Sequence, residues 1–301
     1  MTSAPTTPID ARVYIDESGE KGYVDVVNPS EFGLLLGVIV RDCDGNALRA
    51  ALQPYFDSFV RALPPGMKPH ITDAFASRDP AVCAVATSTR ASYQQVARSS
   101  PITVVYEAIS ASGFARRRDE RVAMATKAET ARRSGIRITN HPHRDRLEEE
   151  LLEGFLLKLD AFGEDHDLAH ISVTSDTLSK GVRDSYADIL EQARTASNRT
   201  EEVKGYNPAT RERLKGALTT RIIVPVGSGL DVDVRRAGDI TDRPPEPLLL
   251  LADILVNSLR HHFKTTVNPA TDPLNAPGSI RGWTLEASVY GVMDEYAMDV
   301  V

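Results

Sequence analysis

The sequence predicts an α/β protein built on a mixed sheet with helices flanking it. Three observations support this. β-rich runs crowd the start of the chain, amphipathic helices then alternate with strand-like runs, and one early run is apolar on both faces. With 301 residues, 42% hydrophobic and 26% charged, the chain is large enough to bury a substantial core. The expected organisation is a frayed tail over 1–11 and one domain over 12–301. That domain would carry a helical insertion at about 112–165 and a polar excursion at about 197–217.

The tail is Thr- and Pro-rich and lacks the basic region and apolar stretch of a signal peptide. Val13 to Asp16 is β-rich and stops at Glu17-Ser18-Gly19, with Tyr14 and Asp16 sharing one face. Gly22 to Val27 and Phe32 to Val40 follow as strands of an expected meander, and Leu34 to Val40 reads as a strand covered on both faces. Leu48, Leu52, Phe56, Phe59 and Leu63 recur at helical spacing, and Pro64-Pro65-Gly66 ends that helix. Asp79-Pro80 supplies a cap and first-turn proline for a helix to Ser99, and Ile102 to Ile109 is strand-like.

Leu147, Leu151, Leu152, Phe155 and Leu159 form the stripe of a further helix. His170 to Thr174 is a strand, and Val182 to Ala196 is helical. Two short strands are expected near Arg221 to Val226 and Leu230 to Val234. Pro245 to Phe263 is a helix, and a last strand lies near Trp283 to Tyr290.

Composition excludes some functions. A net charge of −7 argues against indiscriminate polyanion binding. No apolar run approaches the roughly 20 residues that span a bilayer, so no membrane partner is expected. Cys43 and Cys83 lack metal-ligand spacing, and such usage suits a reducing cytoplasm. Between Arg116 and Arg146, ten Lys/Arg against four Asp/Glu make the segment +6, leaving −13 elsewhere. That block is an anion-binding surface or a solvated helix face.

Three carboxylates stand out. Asp16 ends the first strand, Asp176 ends a later one, and Asp253 interrupts an apolar helix. An ionised Asp in such a helix is costly unless paired, exposed or ligating a cation. Helical spacing puts Asn257 and Arg260 on its stripe. A phosphodiester needs an activated water and neutralised phosphate charge, and oxygen-liganded Mg²⁺ or Mn²⁺ supplies both. Each acid also has a plainer reading: a turn or cap for a strand-end residue such as Asp16 or Asp176, and a buried ion pair for Asp253, while Glu17 could be a solvent-facing turn residue.

Val13-Tyr14-Ile15-Asp16-Glu17-Ser18-Gly19 and Leu250-Leu251-Ala252-Asp253-Ile254-Leu255 resemble a bacterial family, domain-of-unknown-function family 3800. That family itself looks like the ribonuclease H superfamily, with Asp-Glu-Ser-Gly on the first strand and a late Leu-Ala-Asp helix. The resemblance spans roughly Val13 to Phe263 and implies a ribonuclease-H-like mixed sheet. It further implies metal-dependent nuclease chemistry on DNA or RNA, in a defence or mobile-element setting. Asp16, Asp176 and Asp253 would ligate metal, Glu17 would assist, and His70 would orient water or phosphate. Lys68 stands where the family often shows Glu, which removes a possible ligand and leaves one or two metals open.

Arg116, Arg117, Arg118, Arg121, Arg132 and Arg133 would hold the nucleic-acid backbone. The rival expectation is an inactive member of the same fold that binds nucleic acid or protein. Other motifs are weaker. Gly227-Ser228-Gly229 lacks a P-loop lysine, His141-Pro142-His143 and His261-His262 lack zinc spacing, and Ser18 lacks the first glycine of a nucleophile elbow.

Overall fold

In the computed structural model, residues 9–19, 31–116, 137–138, 146–178, 180–221, 233–266, 274, 276–280 and 283–286 are described. The centre is a seven-stranded sheet, and its first two strands are β1 (Ile9–Gly19) and β2 (Phe32–Arg41). They pair antiparallel from Ala11↔Arg41 to Gly19↔Gly33. Gly19 closes that pairing at φ 92°, where a side chain would run into the Phe32 carbonyl, so this position demands glycine. The expected tail is shorter than 1–11: residues 9–11 already lie in β1, and Ala11 is fully buried.

Three helices follow: α1 (Asp42–Ala62), α2 (Ile71–Phe75) and α3 (Pro80–Ser99). Asp79 caps α3 by accepting the Ala81 N–H at 2.8 Å, with Pro80 in the first turn, as expected. β3 (Thr103–Ser110) then joins β2 antiparallel and completes an antiparallel trio. The expected strand at 22–27 lies outside the described residues.

Next come β4 (Arg137–Ile138), α4 (Leu147–Asp165), β5 (Leu168–Ser175) and α5 (Lys180–Arg194). They are followed by β6 (Asn198–Asn207), β7 (Glu212–Arg221), β8 (Ala237–Asp242) and α6 (Pro247–Thr266). The chain ends with β9 (Ser279–Ile280) and β10 (Trp283–Glu286). The order across the main sheet is β8-β5-β1-β2-β3-β10-β9. β5 runs parallel to β1, β8 parallel to β5, and β10 parallel to β3. A mixed sheet flanked by helices is the expected α/β class, and it is consistent with a ribonuclease-H-like fold.

Alternation of side chains along the strands splits the core in two. Tyr14, Leu34, Leu36 and Val38 face α1, α3 and α6, while Val13, Ile15, Leu35 and Ile39 face α4 and α5. α4 therefore belongs to the core layer, although the expected helical insertion included it. Lys158 is buried on α4, where it pairs with Glu107 of β3 at 3.0 Å and donates to the Tyr106 carbonyl at 3.0 Å.

The expected polar excursion is a β-hairpin. β6 and β7 pair antiparallel along their full length, and β4 adds a third strand through Arg137↔Tyr206 and Ile138↔Gly205. Residues 222–232, where the two further strands were expected, lie outside the described residues. The edge strand β8 was not anticipated, because Ala237–Asp242 is too polar to read as a strand. Cys43 and Cys83 are unpaired.

Candidate metal centre

β1 lies between β2 and β5, which puts Asp16 at the middle of the sheet. Asp16 stands opposite Leu36, and Ile15 is level with Ser175, so Asp176 follows β5 immediately beside it. Side-chain alternation turns Asp16 to the face covered by α6. There Asp253 is almost wholly buried, at 5% exposure, among Leu250, Leu251, Ile254 and Leu255. Strand and helix thus hold two acids from opposite ends of the chain against each other.

The third member is His70. It precedes α2, whose first residue, Ile71, donates its backbone N–H to Asp253 Oδ2 at 2.6 Å. That bond ties the loop to α6 and brings His70 Nε2 to 3.2 Å from Asp253 Oδ1. The other ring nitrogen, Nδ1, lies 2.7 Å from Thr72 Oγ1 and 3.9 Å from Asp73 Oδ2. Ligand atoms of Asp16, His70 and Asp253 all lie within 4.8 Å of one another.

The electrostatics of the pair are unfavourable without a cation. Burial raises the Asp16 carboxyl well above the usual range, and the neighbouring Asp253 raises it further. Burial likewise pushes Asp253 up to about 7, against lowering bonds from the Ile71 N–H, the Asn257 amide and Asp16. Asp16 Oδ2 is buried and has no hydrogen-bond partner among the described residues. A buried, unpartnered carboxylate oxygen facing a second carboxylate is the arrangement that a proton or a cation would relieve.

A cavity of about 240 Å³ is lined by two of the three, Asp16 and His70. Asp73, Glu17, Asp176, Tyr186 and Lys68 are among the other residues that line it. Glu17 alternates away from Asp16 and accepts the Tyr186 hydroxyl at 2.9 Å. Burial, and then Glu17 itself, raises the Tyr186 phenol, so it stays a donor.

Of the expected ligands, Asp16 and Asp253 converge. Asp176 lines the cavity without joining the trio, and its Oδ1 accepts the Thr177 N–H at 2.6 Å. His70 takes the third place, a residue expected only to orient water or phosphate. Asp176 falls just beyond the last strand pairing, where the chain turns into the loop before α5, so no sheet contact aims it at Asp253. Arg117, Arg118, Arg121, Arg132 and Arg133 lie outside the described residues; Arg116 is described and exposed.

Sequence reasoning missed Ser18 as a bonded member of the site. Its hydroxyl donates to Asn257 Oδ1 at 3.1 Å, and Asn257 donates to Asp253 Oδ1 at 2.7 Å. The available signal was spacing: Ser18 is two residues past Asp16 on a strand, and Asn257 is four past Asp253 on a helix. No helix among the described residues is long and apolar enough to cross a membrane. No family model matches the chain, and neither a curated protein nor a solved structure is similar to it.

Proposed function

We propose that Asp16, Asp253 and His70 bind a divalent cation and that the chain is a metal-dependent nuclease. The observation that carries this reading is the buried Asp16–Asp253 pair with Asp16 Oδ2 unpartnered, Asp16 and His70 also lining a cavity. Two carboxylates and an imidazole form a mixed oxygen and nitrogen donor set, which favours Mn²⁺ over the harder Mg²⁺. When bound, such a cation supplies a water activated near neutral pH and countercharge for a phosphate. Asp16 and Asp253 would hold it, and His70, oriented through Thr72, would complete the set. Glu17 and Asp176, which line the cavity, would accept a proton from a water, and Lys68 would draw a phosphate in.

The β6–β7 arm supports nucleic acid as the substrate class. Lys204 lies directly across from Lys215, and Tyr206 directly across from Arg213, so all four share one face of the hairpin. Lys204, Arg213 and Lys215 are exposed, and Tyr206 is partly so. Cations interleaved with an aromatic ring suit a single-stranded backbone and its bases. The arm follows α5 in the chain, and Tyr186 of that helix lines the cavity.

The test is calorimetric titration with Mn²⁺, followed by cleavage assays on single- and double-stranded DNA and RNA. Wild type is expected to bind Mn²⁺ and cut, and Asp16→Asn and Asp253→Asn to stay folded and do neither. Folded wild-type protein that ignores millimolar Mn²⁺ refutes the reading. That result would favour a non-catalytic binding module, the alternative to which Lys68 in the cavity wall lends support.

A further inference from the structure

We infer that Ser18 and Asn257 are positioning residues for the metal centre, acting as a one-way hydrogen-bond relay onto Asp253. The inference rests on the cation reading and assigns to it two residues that touch neither metal nor substrate.

The relay follows from two periodicities meeting at one contact. On β1, Asp16 and Ser18 are two residues apart and share a face. On α6, Asp253 and Asn257 are four apart and lie one turn from each other. Where β1 packs on α6, acid meets acid and amide meets hydroxyl. Ser18 is buried at 7% exposure, so its O–H has no easy recourse to solvent and is spent on Asn257 Oδ1 at 3.1 Å.

That bond decides which way the Asn257 amide faces. With Oδ1 receiving the Ser18 proton, Nδ2 is left to donate to Asp253 Oδ1 at 2.7 Å and to the Asp253 carbonyl at 2.9 Å. The opposite orientation would turn an amide oxygen against a carboxylate and leave two polar groups without complementary partners in a buried site. Ile71 N–H holds the other oxygen, Oδ2, at 2.6 Å. Asp253 is therefore restrained at both oxygens, and the Oδ1 restraint is traceable to a hydroxyl on a different element. Partners that orient a metal-binding carboxylate usually matter 10–100-fold in metal affinity.

The experiment is Mn²⁺ titration calorimetry on full-length wild type, Ser18→Ala, Ser18→Thr, Asn257→Ala and the Ser18→Ala/Asn257→Ala double variant. Thermal melts in chelator run alongside. Ser18→Ala is expected to weaken Mn²⁺ binding about 10–100-fold with little change in the metal-free melt. Ser18→Thr, which restores the donor, should return affinity to within a few-fold of wild type. The double variant should bind no more weakly than Asn257→Ala, because both changes break one chain.

Unchanged affinity in Ser18→Ala overturns the relay, as does failure of threonine to rescue or additive losses in the double variant. A lowered melt with unaltered affinity would reduce Ser18 to a packing residue and overturn it too. Wild type that takes up no Mn²⁺ removes the cation reading, and the positioning role falls with it.

Discussion

An aspartate set among Leu250, Leu251, Ile254 and Leu255 carries a desolvation cost that hydrogen bonds from Ile71 and Asn257 only partly offset. The consequence is a pH dependence with a definite sign. Burial pushes Asp253 up to about 7 and raises Asp16 well above its ordinary range, while both titrate near 4 in an unfolded chain. The folded state therefore holds more protons across that window. The Asp253 contribution to stability is fully present below about pH 4 and is lost as pH rises through about 7, and that of Asp16 is lost in the same direction. In chelator, the melting temperature of wild type should fall from pH 5 to pH 8 more steeply than that of Asp16→Asn, which removes one charge of the pair. Parallel melting curves for the two proteins would contradict this account. A cation competes with the same protons, so Mn²⁺ affinity should rise over the same interval and level off above it.

Elements whose pattern repeats were legible before any coordinates. The stripes of α1, α4 and α5 read correctly because each of these helices buries one face in the core, and periodicity records burial. The Asp79 cap read correctly because its chemistry is local; Asp79→Ala should cost about 1 kcal/mol in a denaturant melt. β8 and the β6–β7 hairpin were illegible for the opposite reason. An edge strand and a projecting arm bury little, and their residues, such as Asp239 and Lys204, carry no alternation to read. The arm has its own test. Replacing Lys204 and Lys215 by alanine should weaken oligonucleotide binding and lower the salt slope by about 0.7 per lost phosphate contact on a single strand. Fluorescence anisotropy across a NaCl series measures it, and Mn²⁺ binding should not move. Equal salt slopes for variant and wild type would exclude the arm from the substrate path.

Across the whole molecule, the centre joins segments that sequence separates by more than two hundred positions, Asp16 on β1 and Asp253 on α6, with His70 between them. The two acids were legible because each interrupts a strong pattern. His70 was not legible as the third member of the trio, since the loop that carries it is held by a backbone hydrogen bond, Ile71 N–H to Asp253, which leaves no trace in composition. Since the three residues of the trio come from three segments of the chain, a cation bound there should act as a staple between β1, α6 and the loop before α2. Anything that binds the folded state alone stabilises it by RT ln(1 + [L]/Kd), about 2.7 kcal/mol at a hundredfold excess over Kd. Mn²⁺ at that excess should therefore raise the melting temperature by several degrees, and EDTA should reverse the rise. Asp16→Asn and Asp253→Asn should show no such response even though they fold. A wild-type melt indifferent to Mn²⁺ would mean that the two acids share a proton instead of a metal, and that their approach is a feature of the core rather than of a reaction.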